Sequence, residues 1–262
     1  MNHTFVIPVY LAASSLGALI ESLLAQDGRQ SEILITTSTP SAELDAVAKH
    51  HSLPLLINPQ RIDIASDWNF ALAAATTELV TIAHQDDLFG RFYVSRLSRA
   101  LRAHHGAVLA FCDYSEHSPR GMRPTNINLR IKRALCRRAF GRRECIGSAR
   151  DKERLLSLGN PICCPSVMFD RLALPDFCFP SGFRTNLDWM AWVQLARRPG
   201  GFVYLQEALV SKGVHAESAT TATIENRERQ REDRALFDTF WPRPVAAALA
   251  AAYRFSYLAN RV

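Results

Sequence analysis

From Thr4 to Cys112 strand-like runs alternate with helical patterns, and no other feature of the chain constrains its fold as tightly. Thr4–Val9 (TFVIPV) reads as a buried strand, followed by a helix over Ser14–Gln26 with Leu16, Leu19, Ile20, Leu23 and Leu24 on one face. Glu32–Thr36 is a second strand, and Ser41–His50 a helix with Ser41 placed to cap it. Pro54–Ile57 is a short strand, Ser66–Thr77 a helix, Glu78–Ala83 a strand, Phe92–His104 a helix and Ala107–Cys112 a strand. This alternation predicts a mostly parallel sheet covered on both faces, a Rossmann-like α/β/α sandwich. Ligands of such sheets bind beyond the carboxyl ends of the strands.

After Cys112 the regularity stops. Ser166–Phe169 is strand-like, and Leu187–Arg197 is helical, carrying Trp189, Trp192, Val193 and Ala196. Gly201–Leu205 reads as one strand and Leu209–Val214 as another. A charged helix from Ile224 breaks at Trp241-Pro242-Arg243-Pro244, and an Ala-rich helix follows to the end. The pattern therefore divides into residues 1–220 as the principal domain and 221–262 as a helical extension on it. With 262 residues, 48% of them apolar, the chain has ample material for a core and is neither disordered nor fibrous. Its longest apolar run, Val245–Tyr253, is far short of the roughly 20 residues that a membrane-spanning helix needs. No Lys or Arg precedes the apolar stretch Phe5–Leu24, which argues against a secretory leader. The six cysteines show no zinc spacing, so reduced thiols and a cytoplasmic setting are expected.

The formal charge of +6 is concentrated in one segment. Between Arg120 and Arg154 twelve Lys/Arg face three acids. Within it Ile127, Ile131, Leu135 and Ala139 recur every fourth residue beside Phe140, an apolar stripe on a helix that also carries Arg130, Lys132, Arg133, Arg137 and Arg138. Such a helix either packs on its own domain with a solvated basic face or lies on an anionic membrane as a peripheral contact. Nucleic acid is not the expected partner, since no interleaved aromatic platform accompanies the charge.

Neither GxGxxG nor GxxxxGK[ST] is present, so neither usual glycine-based phosphate cradle is available. The fourth strand ends in His84-Gln85-Asp86-Asp87. Adjacent carboxylates just past a buried strand suit a divalent cation that fills its remaining positions with phosphate oxygens and water. Alternatively, one of them caps the following helix.

FVIPVY at the start, the SLLAQ helix end, EILIT, and DWNFALAAATTELVTIAHQDD together resemble the family 2 glycosyltransferases. Further on, Ser166–Phe169, Leu187-Asp188-Trp189-Met190-Ala191-Trp192 and Val214-His215-Ala216-Glu217-Ser218 are similar to later elements of that family, so the likeness extends over residues 4 to 220. The resemblance implies a GT-A fold and an inverting, metal-dependent transfer of sugar from a nucleotide donor to an acceptor hydroxyl. It implies Asp188 as the general base, and Asp86, Asp87 and His215 as ligands of Mn²⁺ or Mg²⁺. Pro8, Val9, Tyr10, Thr36, Thr37, Asn69, His84, Gln85 and Asp86 would contact the donor, a UDP-sugar by the same likeness. A glycan or lipid-linked acceptor, used in building a surface polysaccharide, would suit a membrane-facing segment at 120–154.

Three departures from the family pattern stand out. Thr36-Thr37-Ser38-Thr39-Pro40 replaces an acidic stretch after the second strand, His84 stands where an Asp is common, and Asn186-Leu187-Asp188 offers one carboxylate where relatives often have two. They leave two other readings in play: a non-catalytic nucleotide-sugar or glycan-binding module on the same fold, and a nucleotidyltransferase. The latter is expected to carry a Gly- and Lys-rich loop after its first strand, where this chain has Leu11-Ala12-Ala13-Ser14.

Overall fold

The computed structural model describes residues 2–11, 15–28, 31–214, 228–255 and 257. Side chains of the first strand, β1 (His3–Val9), alternate between two apolar layers, as the period of two in a strand requires. Phe5, Ile7 and Val9 join the layer packed by α1 (Leu16–Leu24), α2 (Ala42–His50) and α4 (Tyr93–Ala103). Val6 joins the opposite layer, with α3 (Ile64–Ala74), α5 (Ile127–Phe140), α6 (Ala149–Leu156) and α7 (Leu187–Ala196). β2 (Glu32–Thr37) repeats this, with Ile33 and Ile35 on the first face and Leu34 on the second. On α1, Leu16, Leu19, Ile20 and Leu23 are buried, and each such side chain contributes about 1.5–3 kcal/mol of transfer free energy.

The strand order is β3 (Leu55–Ile57), β2, β1, β4 (Leu79–Ile82), β9 (Val167–Asp170), β6 (Ala107–Ser118), β10 (Gly201–Gly213) and β5 (Leu88–Phe89). β7 (Gly121–Arg123) pairs with β6, and β8 (Cys145–Ile146) with β10. β1 to β4 are mutually parallel where they pair, as are β6 and β10, whereas β9 lies antiparallel between β4 and β6. The chain proceeds outward from β1 to β3 and then returns to the other side of β1 as β4. The strand order therefore reverses between β1 and β4, and a crevice opens beyond their carboxyl ends.

Several sequence expectations shift. Asp63 caps α3 by accepting the Ser66 amide at 2.8 Å, so that helix starts at Ile64 and ends at Ala74. Ser41 caps α2 as expected, accepting from the Leu44 amide at 3.1 Å. The two strands expected at 201–205 and 209–214 are one, β10, whose register against β6 shifts around Ala208. Those irregularities interrupt the alternation on which the sequence reading relied.

The apolar stripe expected on α5 is buried only in its second half. Ile127 and Ile131 are 63% and 51% exposed, while Leu129, Cys136, Ala139 and Phe140 are buried. A strict four-residue spacing drifts around a 3.6-residue helix, whereas Leu129, Lys132, Arg133, Cys136 and Phe140 follow the true period. Lys132 donates to the Tyr114 hydroxyl at 2.8 Å, and Arg133 to the Tyr114 carbonyl at 3.2 Å and, as an ion pair, to Asp113 at 3.3 Å. Two basic side chains thus turn inward, and two isoleucines turn out.

Two C-terminal helices, α8 (Glu228–Asp238) and α9 (Arg243–Tyr253), pack against α7. The Trp189 ring lies 5.4 Å from Phe237 and 5.6 Å from Tyr253, centroid to centroid. No described helix is long and apolar enough to cross a membrane.

Candidate active site

Beyond β4 the chain turns through His84-Gln85-Asp86-Asp87, closed by the Asp87 amide donating to the His84 carbonyl at 3.1 Å. Asp87 is buried, and its Oδ1 accepts the Gly213 amide at 2.9 Å, tying the turn to the end of β10. Gly213 presses so closely on this turn that a side chain there would collide with the Asp86 carbonyl oxygen. The other carboxylate oxygen, Asp87 Oδ2, makes no hydrogen bond among the described residues and lies 3.8 Å from His84 Nδ1. Burial pushes the Asp87 carboxyl well above its usual range and the neighbouring Asp86 adds to this, while the Gly213 amide and Lys212 oppose it. Burial also pushes His84 down to about 4, so its imidazole is neutral at pH 7, packed 4.8 Å from the Trp68 ring. His84 Nε2 is likewise without a partner among the described residues.

An orphaned, buried carboxylate oxygen beside a half-buried Asp86 fits a hard divalent cation held through oxygen. Among the described residues no group of three or more His, Cys, Asp or Glu is arranged to enclose a metal, so phosphate oxygens and water would complete the shell. His215 lies outside the described residues.

Asp188 occupies the first turn of α7. Its Oδ1 accepts the Trp189 amide at 2.7 Å and its Oδ2 the Asn160 side-chain amide at 2.9 Å. Asn160 is itself oriented by accepting the Ile162 amide at 3.1 Å. Burial raises the Asp188 carboxyl above its usual range, against the Trp189 amide, Lys132, Lys212 and Asn160. That suits a carboxylate required to take up a proton. Lys212 joins the two stations, since its charge acts on Asp86, Asp87 and Asp188 alike. Cys163 and Cys164 lie within the fields of both Asp87 and Asp188.

At the crevice between β1 and β4, the Tyr10 amide donates to Gln85 Oε1 at 2.9 Å, and Gln85 Nε2 returns to the Tyr10 carbonyl at 3.4 Å. The Arg61 guanidinium lies 5.8 Å over the exposed Tyr10 ring. Pro8 is half-buried there, whereas the Val9 side chain belongs to the core and can offer the crevice only its backbone. Thr36 and Thr37 are both buried, and the Thr37 hydroxyl accepts the Thr39 amide at 2.9 Å within its own turn. Asn69 does not face the crevice with a spare amide: it donates to the Phe179 carbonyl at 2.9 Å and accepts the Phe179 amide at 2.7 Å. It fastens α3 to the 179 loop.

Three groups escaped the sequence reading. Asp67, on α3, accepts from Ser38 at 2.8 Å and Asn58 at 2.9 Å, bringing a carboxylate to the end of β2, where the local sequence has none. Lys132 and Lys212 place positive charge beside Asp188. Lys212 closes β10, so the rule that ligands gather at strand ends pointed to it. Nothing in the sequence ties Asp67 to Ser38.

The sequence matches the model of a family described as "Glycosyl transferase family 2" over residues 4–171. It matches no curated protein. Among solved structures it is similar to residues 1–349 of TarS from S. aureus, with a TM-score of 0.63 at 14% identity, covering 96% of this chain and 70% of that one. The mannosyltransferase PcManGT from Pyrobaculum calidifontis, in complex with GDP-Man and Mn²⁺, gives 0.63 at 17% identity over 96% of this chain and 69% of that one. Glucosyl-3-phosphoglycerate synthase from Mycobacterium tuberculosis, with Mn²⁺, UDP and its product, gives 0.56 at 14% identity over 87% and 76%. The TarS fragment is also known in complex with UDP-GlcNAc, where the TM-score is 0.62 at 14% identity over 97% and 71%.

Proposed function

The chain belongs to glycosyl transferase family 2, and from that premise we propose that it is an inverting, metal-dependent enzyme. In this reading it moves a sugar from a nucleotide donor to an acceptor hydroxyl within residues 1–220, with 221–262 as a helical buttress. The observation that carries the reading is the buried, unpartnered Asp87 Oδ2 beside Asp86, set beyond β4 where the strand order reverses.

In this mechanism Tyr10 and Gln85 frame the nucleotide at the crevice, and Pro8 and the Val9 backbone line its floor. Thr36 and Thr37 shape the base pocket from within the turn, and Asp67 supplies the acidic group that the stretch after β2 lacks. Asp86, backed by Asp87, would hold Mn²⁺ or Mg²⁺, with His215 completing the set. Such a cation, when bound, neutralises the donor diphosphate and eases its departure. Lys212 adds a fixed positive charge beside the leaving group. Asp188 accepts the acceptor's hydroxyl proton. The acceptor oxygen then bonds to the anomeric carbon on the face opposite the diphosphate, the bond to the diphosphate oxygen breaks, and configuration inverts in a single displacement.

TarS and the mycobacterial synthase are described with uridine nucleotides, and PcManGT with GDP-Man. We take a UDP-sugar as the donor. The acceptor is a glycan or a lipid-linked glycan met at the cytoplasmic face of a membrane, a setting that fits surface polysaccharide synthesis. Supporting this are Ile127 and Ile131, which stand exposed on the same helix as the exposed Arg130, Arg137 and Arg138.

A thermal-shift screen of nucleoside diphosphates and nucleotide sugars, each with and without Mn²⁺, tests the donor site. The expected result is a Mn²⁺-dependent rise in Tm with uridine nucleotides. A flat response at concentrations that saturate ordinary donors would count against the transferase reading.

A further inference from the structure

Helix α7, which carries Asp188, lacks a cap of its own. Asn186 occupies the N-cap position and makes no capping bond. The backbone donors ahead of the helix are met from 46 to 48 residues away, by Glu232 on α8. Its Oε1 accepts the Arg184 amide at 2.6 Å, and its Oε2 accepts the Thr185 amide at 3.0 Å and the Asn186 amide at 2.8 Å. The adjacent Asp233, 1% exposed, accepts the Asn186 side-chain amide at 2.8 Å and the Tyr257 hydroxyl. One turn earlier, Glu228 pairs with the Arg184 guanidinium at 3.2 Å. Three acidic residues of one helix therefore converge on three consecutive residues of another segment.

We propose that Glu232 and Asp233 are positioning residues for transfer: by holding Arg184–Asn186 they fix the first turn of α7, and with it the place of Asp188. The inference rests on the reading of Asp188 as the base. A carboxylate receiving three amide hydrogens at a helix N-terminus gains both charge-assisted bonds and the favourable end of the helix dipole. Asp188 is two residues beyond the gripped turn. From the opposite side it is held by Asn160, and Trp189 is wedged on Phe237 and Tyr253 of the same C-terminal helices. The base is thus clamped between the 160 loop and α8. The exposed Glu228–Arg184 pair contributes least, since surface ion pairs are worth little.

The test is steady-state kinetics on the full chain carrying Glu232→Ala, Glu232→Gln and Asp233→Asn, with thermal unfolding recorded for each. Displacing a reacting group by about 1 Å costs on the order of 100-fold, so Glu232→Ala should lower kcat about 10- to 100-fold while donor KM stays within about twofold. Glu232→Gln, which keeps one acceptor oxygen, should recover part of that loss. Asp238→Asn, on the exposed side of the same helix, should leave kcat unchanged. If Glu232→Ala does not fold, Asn186→Ala removes only the bond to Asp233 and should show the same split in smaller measure. A folded Glu232→Ala or Asn186→Ala with wild-type kcat, alongside an inactive Asp188→Asn, overturns the positioning role while sparing the base. Full activity in Asp188→Asn overturns the base reading itself, and a kcat loss in Glu232→Ala would then need another cause.

Discussion

The two carboxylate stations are placed by different means. Asp86 and Asp87 follow a buried parallel strand at the point where the strand order reverses, so the backbone topology alone delivers them to the crevice. Asp188 follows no strand. It stands on a helix reached through an irregular stretch, held by side chains from residues 160 and 232–233. The proposed donor side of the site is therefore built from sheet geometry and the proposed acceptor side from individual hydrogen bonds. Sheet geometry tolerates changes of side chain but not added atoms where strands touch; a hydrogen-bonded clamp has the reverse sensitivity.

The largest effect that would break this contrast is expected at Asp188, the proposed base. Asp188→Asn should lower kcat by about 1,000-fold or more with donor affinity nearly intact, measured by single-turnover transfer and by nucleotide titration. Because burial raises the Asp188 carboxyl and only the ionised form can take a proton, the acid limb of kcat should lie above the usual carboxylate range. A limb at the ordinary Asp value of about 3.9 would mean that Asp188 is solvated in the working enzyme.

Neutralising Arg130, Arg137 and Arg138 together should weaken binding to phosphatidylserine vesicles by about 100-fold, at on the order of 1 kcal/mol per charge. Binding in a sedimentation assay that does not change would remove membrane contact from the acceptor side. Arg143 is a poor choice for this test, because it is bonded to Asp151 and to the Ala139 and Phe140 carbonyls.

Asp86→Ala should weaken Mn²⁺-dependent nucleotide binding by about tenfold or more, leaving metal-independent binding and Tm near wild type. The smallest change in atoms is Gly213→Ala. One methyl group against the Asp86 carbonyl should cost about 1–3 kcal/mol of stability, seen as a lower urea midpoint, and should impair donor binding with it. If Gly213→Ala were neutral in both assays, the donor side would be less rigid than its sheet geometry implies.

The same contrast explains what the sequence made legible. The first half announces itself because each strand and helix is specified by its own residues, and the HQDD turn is adjacent to the strand that positions it. Asp188 was proposed as the base from a resemblance to a family pattern, not from local structure. What remained hidden depends on partners far along the chain: Asp87 meets Gly213 across 126 residues, and Asn69 meets Phe179 across 110. Asn69 was read as a donor contact from the family resemblance, and a loop far downstream occupies its amide. On α5 the first half of the stripe was misread by counting apolar residues alone, when the inward positions of Lys132 and Arg133 are decided by Tyr114 and Asp113.

The antiparallel strand β9 has a consequence for how the molecule is made. It sits between β4 and β6, both of which leave the ribosome before it does. Until residues 167–170 emerge, the nascent sheet has a vacant central slot, with the inward edges of β4 and β6 unpaired. The N-terminal half, regular as it is, cannot complete its fold during synthesis; its closure waits for four residues encoded well past its apparent boundary. Fragments cut near residue 120 should therefore be prone to aggregate through those edges.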